Sequence, residues 1–132
     1  MPSQAPLSRL AHRNLPLLLL QAREAVIANF RPILNAHGLT EQQWRVLRAL
    51  ADAGPLEPRQ IVELCRISSP SLTGVLARME RDALIARERD PADQRRTVIR
   101  ATSKGKRLVA KLSGAIEAHY VWMEDSIGRD PL

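Results

Sequence analysis

A break of three residues between two short amphipathic helical patterns constrains this fold most. The first pattern covers about residues 57–65, the second about residues 69–82, and Arg66 to Ser68 lie between them. Ser69-Pro70 is typical of a helix start, an N-cap residue followed by proline in the first turn. Two helices joined so closely favour either a helix-turn-helix or a plain helical hairpin.

An arginine-rich strand–turn–strand pattern follows the second helix. Residues 84–88 and 97–101 favour strands, and Asp90-Pro91-Ala92-Asp93 favours a turn. Further helical patterns precede residue 53, and another begins after Thr102. The chain is therefore predicted to be mainly helical with a small β-hairpin wing, a winged helix-turn-helix flanked by N- and C-terminal helices.

The two outer helices carry apolar stripes that the rest of the chain has little surface to cover. We expect one domain, residues 1–132, with a winged DNA-binding module at about 40–102 and dimerisation helices at about 14–38 and 103–127. Leu17 to Leu20 is apolar nearly all round, which is typical of a helix buried on several sides. Two chains exchanging these helices would form a symmetric homodimer; the alternative is a monomer with a loose helical pair.

Positive charge is concentrated in the centre of the chain. Residues 59–111 hold 13 Lys and Arg against 6 Asp and Glu, whereas the remainder holds 7 against 8. This asymmetry favours a polyanionic partner, double-stranded DNA. The single cysteine and three scattered histidines show no spacing typical of a disulfide, a metal site or a catalytic group. We therefore expect neither an enzyme nor a cofactor.

The apolar run Leu17 to Leu20 is too short to span a bilayer. After Arg9 and Arg13 it could imitate the apolar part of a signal peptide. Gln21, Arg23 and Glu24 follow where a cleavage site would need small residues. The sequence therefore predicts a cytoplasmic protein without a membrane partner.

The second helix of the pair has a face suited to a DNA groove. At 100° per residue its apolar side chains share one side, and the opposite side is small, hydroxylic or basic, comprising Pro70, Ser71, Thr73, Gly74, Ala77, Arg78 and Arg81. In the hairpin, Arg89, Arg95 and Arg96 are candidates for DNA contact. Asp93 would orient Arg95. The alternative is a solvated hairpin whose Asp and Arg residues pair internally.

Several segments resemble a known family. These are Ser-Pro-Ser-Leu-Thr at 69–73, Asp-Pro-Ala-Asp-Gln-Arg-Arg at 90–96 and Thr-Ser-Lys-Gly at 102–105, which resemble the MarR family of transcriptional regulators. Leu-Thr-Glu-Gln-Gln-Trp-Arg at 39–45 resembles the branch that represses homoprotocatechuate degradation operons. The resemblance implies a dimeric repressor that a small aromatic acid releases from a palindromic operator.

The resemblance also implies roles for individual residues. Ser69, Ser71, Thr73 and Arg78 would lie in the major groove, Asp93 and Arg95 would form the wing tip, and Lys104 would touch a backbone phosphate. Three positions depart from the family pattern. Arg66 and Ala83 stand where glycine is usual, for which we expect a modest backbone adjustment, and Gln94 stands where many members carry arginine.

Arg23 falls within the apolar sector of the first helix, where a guanidinium needs an anion. The partner is either an internal carboxylate such as Glu41 or the carboxylate of an effector, 4-hydroxyphenylacetate or 3,4-dihydroxyphenylacetate. Gln43 and Trp44 open the next helix and would complete a ligand site. Arg13, His12 and His37 are further candidates from the same neighbourhood.

Two other mechanisms remain open from the sequence. Cys65 could act as the thiol switch of a redox-sensing repressor, or it could be inert packing beside Ile61 and Leu64. The protein could also be an architectural DNA binder without sequence preference, which would need only base-independent contacts.

Overall fold

The computed structural model describes residues 14–127. Within them lie five helices and one two-stranded antiparallel sheet: α1 (Leu15–Asn35), α2 (Glu41–Ala53), α3 (Pro58–Cys65), α4 (Ser69–Arg81), β1 (Ile85–Asp90), β2 (Asp93–Ala101) and α5 (Ser103–Ile127). The element order and the mainly helical class with a hairpin wing confirm the predicted fold class.

The chain divides into two compact units, Met1–Phe30 and Arg31–Leu132. In the described part of the first unit, residues 15–30 are helical, and Leu15 and Leu17 to Leu20 are exposed. Exposed leucines along a helix are what a dimerisation helix needs. The dimerisation helices and the bounds of the DNA-binding module stay predictions.

Local signals in the sequence set the start of α2. Thr40 Oγ1 accepts a hydrogen bond from the Gln43 amide at 3.1 Å, and Gln43 Oε1 accepts one from the Thr40 amide at 3.1 Å. This capping box satisfies two backbone donors that the first turn leaves without partners. Gly38, with φ of +74°, lies between α1 and α2 and adopts a conformation that costs other residues more.

The core of the second unit lies between α2, α4, α5 and the sheet. Its fully buried side chains are Leu34, Leu39, Val46, Leu47, Ile61, Leu76, Met79, Ile99 and Leu112. The apolar stripe of the C-terminal helix is predicted to form a dimer face, but Leu112 and Ile116 of that stripe are already buried within one chain. Leu64 was expected on the apolar face of α3, yet it is 61% exposed while Ile61 and Cys65 are buried. The predicted apolar face of α3 is therefore wrong at Leu64 and right at the other two residues.

The turn between α3 and α4 differs from expectation in two details. Ser68, not Ser69, is the N-cap of α4: its backbone is extended and its Oγ accepts a hydrogen bond from the Ser71 amide at 3.4 Å. Ser69 and Pro70 are already in the first turn. Arg66 has φ of +54° and ψ of +46°, which is the left-handed conformation that glycine adopts most easily. The expectation that the backbone would adjust to a residue other than glycine is therefore wrong at Arg66. The turn keeps the left-handed conformation, and the arginine accepts about 1–2 kcal/mol of steric strain.

The wing strands are longer than predicted, and their pairing is irregular at the tip. β1 and β2 pair regularly from Ile85 with Ala101 to Arg89 with Thr97, and the next pair is Asp90 with Asp93. Residues 94–96 therefore bulge out of β2 without a partner in β1. At the other side of β2, Ile99 exchanges two backbone hydrogen bonds with Leu56, at 3.0 and 2.7 Å.

The end of α4 is fastened to the start of α5. The Thr102 amide donates to the Leu84 carbonyl at 3.0 Å, and the Thr102 hydroxyl donates to the Ala83 carbonyl at 2.6 Å. A Cβ at Gly105 would lie 2.3 Å from the Leu84 carbonyl oxygen, so only glycine fits there. Ala83 has φ of +60°, and its predicted adjustment is wrong for the same reason as that of Arg66: the connection requires the left-handed backbone.

Candidate nucleic-acid interface

Helix α4 presents the face that its sequence predicts. Leu72, Leu76 and Met79 are buried against the module. The residues predicted to enter a groove are all exposed: Ser69, Pro70, Ser71, Thr73, Gly74 and Arg78. The helix therefore offers its hydroxyls, its glycine and its arginine to an external partner.

Packing does not require the glycine of this face. A Cβ at Gly74 would meet no atom of residues 14–127 within 4 Å, although glycine costs about 1 kcal/mol within a helix. The Ser68 hydroxyl donates to Ser71 Oγ at 3.0 Å, and the Thr73 hydroxyl donates to the Ser69 carbonyl at 3.1 Å. These hydroxyls lie at the N-terminal turns of α4, where the helix dipole favours anions. The arrangement suits close approach of a phosphate or a base edge.

The cations of α4 are not neutralised within the described chain. Arg78 and Arg81 are exposed and form no ion pair with any of residues 14–127. By contrast, Glu80 on the same helix binds Arg87 Nε at 2.7 Å. Two unpaired guanidinium groups on the face that carries Gly74 give it the charge that DNA backbone contact needs.

Arg95 is a strongly exposed cation of the wing, with 90% of its side chain accessible. Asp93 Oδ1 accepts hydrogen bonds from the Arg95 backbone amide at 3.1 Å and from its Nε at 3.2 Å. These bonds hold the pKa of the Asp93 carboxyl below its ordinary value. The carboxylate thus orients the guanidinium as the sequence predicted, at the tip of the hairpin.

The other wing arginines have internal partners. Arg89 Nη1 donates to the Gln94 carbonyl at 2.7 Å, and Arg96 Nη2 donates to Glu57 Oε2 at 2.5 Å. The Arg96 guanidinium holds the pKa of the Glu57 carboxyl below its ordinary value. Sequence reasoning missed Glu57, because nothing local links two residues 39 positions apart.

Lys104 lies where α5 begins, and its Nζ donates to the Asp82 carbonyl at 2.8 Å. The side chain is exposed. This bond places the ammonium group next to the C-terminal end of α4, one residue beyond the unpaired Arg81. A phosphate contact by Lys104 stays a prediction.

The predicted effector residues fall into different units. Arg23, in the first unit, is 45% exposed and lies 3.6 Å from Glu24. In the second unit Gln43 is buried, with its amide oxygen used in the α2 capping box, and Trp44 and His37 are half-buried. Arg13 and His12 lie outside the described residues. A ligand site formed by these residues stays a prediction.

Cys65 is buried, and burial raises the pKa of its thiol. Its Sγ donates a weak hydrogen bond to the Arg45 carbonyl, at 3.5 Å. A thiol with a raised pKa holds little thiolate at neutral pH. These observations favour the packing interpretation of Cys65 over the thiol switch.

Across residues 14–127, every helix falls short of the length and apolarity that crossing a membrane requires. The interface residues belong to α4, the wing and the start of α5. A helix-turn-helix with an exposed, unpaired basic face and an arginine-tipped wing defines the class of winged-helix DNA-binding proteins.

The chain belongs to the MarR family, whose model matches residues 37–96. It is 43% identical to the homoprotocatechuate degradative operon repressor of Escherichia coli, over 86% of this chain and 76% of that protein. It is 37% identical to the HTH-type transcriptional regulator FarR of Neisseria gonorrhoeae, over the whole chain and 87% of that protein. The crystal structure of NadR in complex with 4-hydroxyphenylacetate shares 37% identity, covers 92% of this chain and 86% of that one, and superposes with a TM-score of 0.81.

These comparisons confirm the recognised family and the predicted regulatory class: the chain is a transcriptional regulator of MarR type. MarR regulators bind DNA as dimers. The predicted partners, double-stranded DNA and a second copy of the chain, are those of the family.

Proposed function

We propose that this protein is a homodimeric repressor that binds a palindromic operator and leaves it when a small aromatic acid binds. The observation that carries the proposal is the α4 face, where among residues 14–127 Gly74 has open space and Arg78 and Arg81 form no ion pair. Such a face is suited to an external anionic partner. Two such faces in a symmetric dimer would meet half-sites about one helical turn apart.

Within this proposal, α4 reads the major groove and the wing reads the adjacent minor groove. Ser69, Pro70, Ser71, Thr73, Gly74 and Arg78 contact bases and phosphates, Arg95 held by Asp93 reaches the minor groove, and Arg89, Gln94, Arg96 and Lys104 form the surrounding surface. The relatives named above are bacterial proteins, and bacterial DNA lies in the cytoplasm, so we propose that this protein acts in the cytoplasm. It binds rather than transforms its ligands and is not an enzyme.

The effector class comes from two relatives. One is named for the homoprotocatechuate degradative operon, and NadR has been crystallised with 4-hydroxyphenylacetate. We propose that 4-hydroxyphenylacetate or 3,4-dihydroxyphenylacetate releases this protein from its operator. Arg23 is the predicted ligand of its carboxylate, and Gln43 and Trp44 are further predicted ligand residues. Release requires the acid to bind the DNA-incompetent state more tightly than the DNA-bound state.

The test is a fluorescence-anisotropy titration with the DNA upstream of the protein's own gene. A shuffled duplex of equal length and composition is the matched control. We expect the upstream DNA to bind at least 10³-fold more tightly, which is about the lower end for specific regulators. Addition of 4-hydroxyphenylacetate should remove that difference, whereas benzylamine, an aromatic cation, should not. Equal affinity for both duplexes would instead support the architectural alternative.

A further inference from the structure

The tip of the wing is the part of the hairpin that backbone pairing supports least. Regular pairing ends at Arg89 with Thr97, and residues 94–96 have no opposite residue in β1. Arg95 stands in the middle of this bulge. Because no residue of β1 lies opposite the bulge, side-chain contacts contribute to the direction of Arg95.

Among residues 14–127, three such contacts reach the bulge. The Asp93–Arg95 pair lies within the tip and would move with it. The bond from Arg89 Nη1 to the Gln94 carbonyl, 2.7 Å, joins the bulge to the other strand of the same hairpin. Of the three, only the bond from Arg96 Nη2 to Glu57 Oε2, 2.5 Å, joins it to the helix-turn-helix. That bond can therefore set the angle between the tip and α4.

Glu57 is well placed to serve as the anchor. It is the N-cap of α3, its amide donates to Gln60 Oε1 at 2.8 Å, and only 18% of its side chain is exposed. Its neighbour Leu56 exchanges two backbone hydrogen bonds with Ile99. Strand β2 is thus joined to residues 56–57 at two points three residues apart.

We propose that Glu57 is a positioning residue for DNA binding: its carboxylate holds Arg96 and thereby fixes the bulge that presents Arg95. The inference rests on the proposed function, in which Arg95 contacts DNA. It also gives Arg96 a particular task. Its guanidinium braces the wing against α3, and it does not provide a separate phosphate contact.

Charge and positioning predict opposite effects for the loss of Glu57. A carboxylate at a DNA-binding surface repels phosphates, so its removal alone would strengthen binding to any duplex. If Glu57 positions the wing, Glu57→Gln instead weakens binding to the operator. We expect a loss of about fivefold or more, the lower end for one misplaced arginine contact. Affinity for shuffled DNA should stay unchanged or rise.

The experiment compares the full-length variants Glu57→Gln and Glu88→Gln by anisotropy with upstream and shuffled DNA. Glu88→Gln is the matched control, because it makes the same charge change at a carboxylate that binds Arg100 at 2.8 Å in the regularly paired part of the wing. Only Glu57→Gln should lose operator affinity. In an Arg95→Ala background, Glu57→Gln should cause no further loss.

A second readout needs no DNA. Trypsin cleaves after exposed arginines, so limited digestion should cut the wing after Arg95 faster in Glu57→Gln than in Glu88→Gln or the wild type. Circular dichroism at the same temperature confirms that each variant is folded. Equal cleavage rates in the three proteins would show that Glu57 does not fix the bulge, which overturns the positioning role.

The DNA results distinguish a failure of the positioning role of Glu57 from a failure of the proposed function. Wild-type operator affinity in Glu57→Gln overturns the positioning role, and if Arg95→Ala still weakens binding, the proposed function stands. If Arg95→Ala is also without effect, the wing contact in the proposed function fails with it. A further loss on adding Arg96→Gln to Glu57→Gln would show that Arg96 contacts DNA itself, which overturns the brace.

Discussion

The substitution Gly105→Ala tests how the wing module is fastened to the C-terminal helix. An ideal Cβ at residue 105 would lie 2.3 Å from the Leu84 carbonyl oxygen and 3.2 Å from Leu47 Cδ1. The carbonyl cannot move away freely, because it accepts the Thr102 amide at 3.0 Å. Either the first turn of α5 or the residues after α4 must shift by about 1 Å to reach ordinary contact distance.

The magnitude follows from three contributions. Inserting a methyl group into a filled position costs about 1–3 kcal/mol, and the rigid backbone on both sides favours the upper end. Weakening the hydrogen bond to Leu84 adds about 1 kcal/mol. Replacing glycine by alanine in a helix returns about 1 kcal/mol. We expect Gly105→Ala to lower the free energy of unfolding by about 3 kcal/mol.

Gly74→Ala is the matched control, because a Cβ there meets no atom of the described part of the chain within 4 Å. It should raise the free energy of unfolding by about 1 kcal/mol. Both values come from urea unfolding followed by circular dichroism, at one fixed protein concentration because association adds to apparent stability. Gly105→Ala proteins as stable as the Gly74→Ala variant would refute the close approach at Leu84. The same Gly74→Ala protein should bind the operator more weakly, since its extra methyl group faces the groove.

Three further substitutions test other parts of the molecule. Ala83→Gly should stabilise the protein by about 1 kcal/mol, because the residue has φ of +60°; a loss of stability in urea would contradict this. Leu112→Asp should prevent folding rather than yield a soluble monomer, since Leu112 is buried within one chain; a folded monomer by sedimentation velocity would refute it. Arg23→Ala should keep operator binding but lose release by 4-hydroxyphenylacetate, and undiminished ligand binding in calorimetry would exclude Arg23.

Much of the fold could be predicted from the sequence, because the interactions that determine it are local. The Thr40–Gln43 capping box, the exposed face of α4 and the Thr102 start of α5 each depend on residues within one or two turns. Their physics is contained in short segments of sequence. For these elements, propensity, capping and periodicity all favour the same structure.

The features that the sequence did not predict depend on contacts between residues that are distant in the sequence. The Leu56–Ile99 bridge and the Glu57–Arg96 pair join segments about 40 positions apart. The left-handed backbone at Arg66 and Ala83 is imposed by tertiary connections, against the preference of both residues. Burial of Leu112 and Ile116 within one chain likewise depends on packing that a helical stripe alone does not specify.

The most direct test of DNA reading by this fold is the salt dependence of operator binding by Arg95→Ala. Anisotropy titrations at 50 mM to 200 mM salt give the slope of log affinity against log salt for the wild type, for Arg95→Ala and for Arg48→Ala. Arg48 is an exposed arginine of α2 paired with Asp52 and serves as the control. We expect Arg95→Ala to weaken operator binding by about 1–3 kcal/mol and to flatten the slope by about one, with Arg48→Ala close to the wild type. Unchanged affinity and slope for Arg95→Ala would contradict a wing that inserts into DNA.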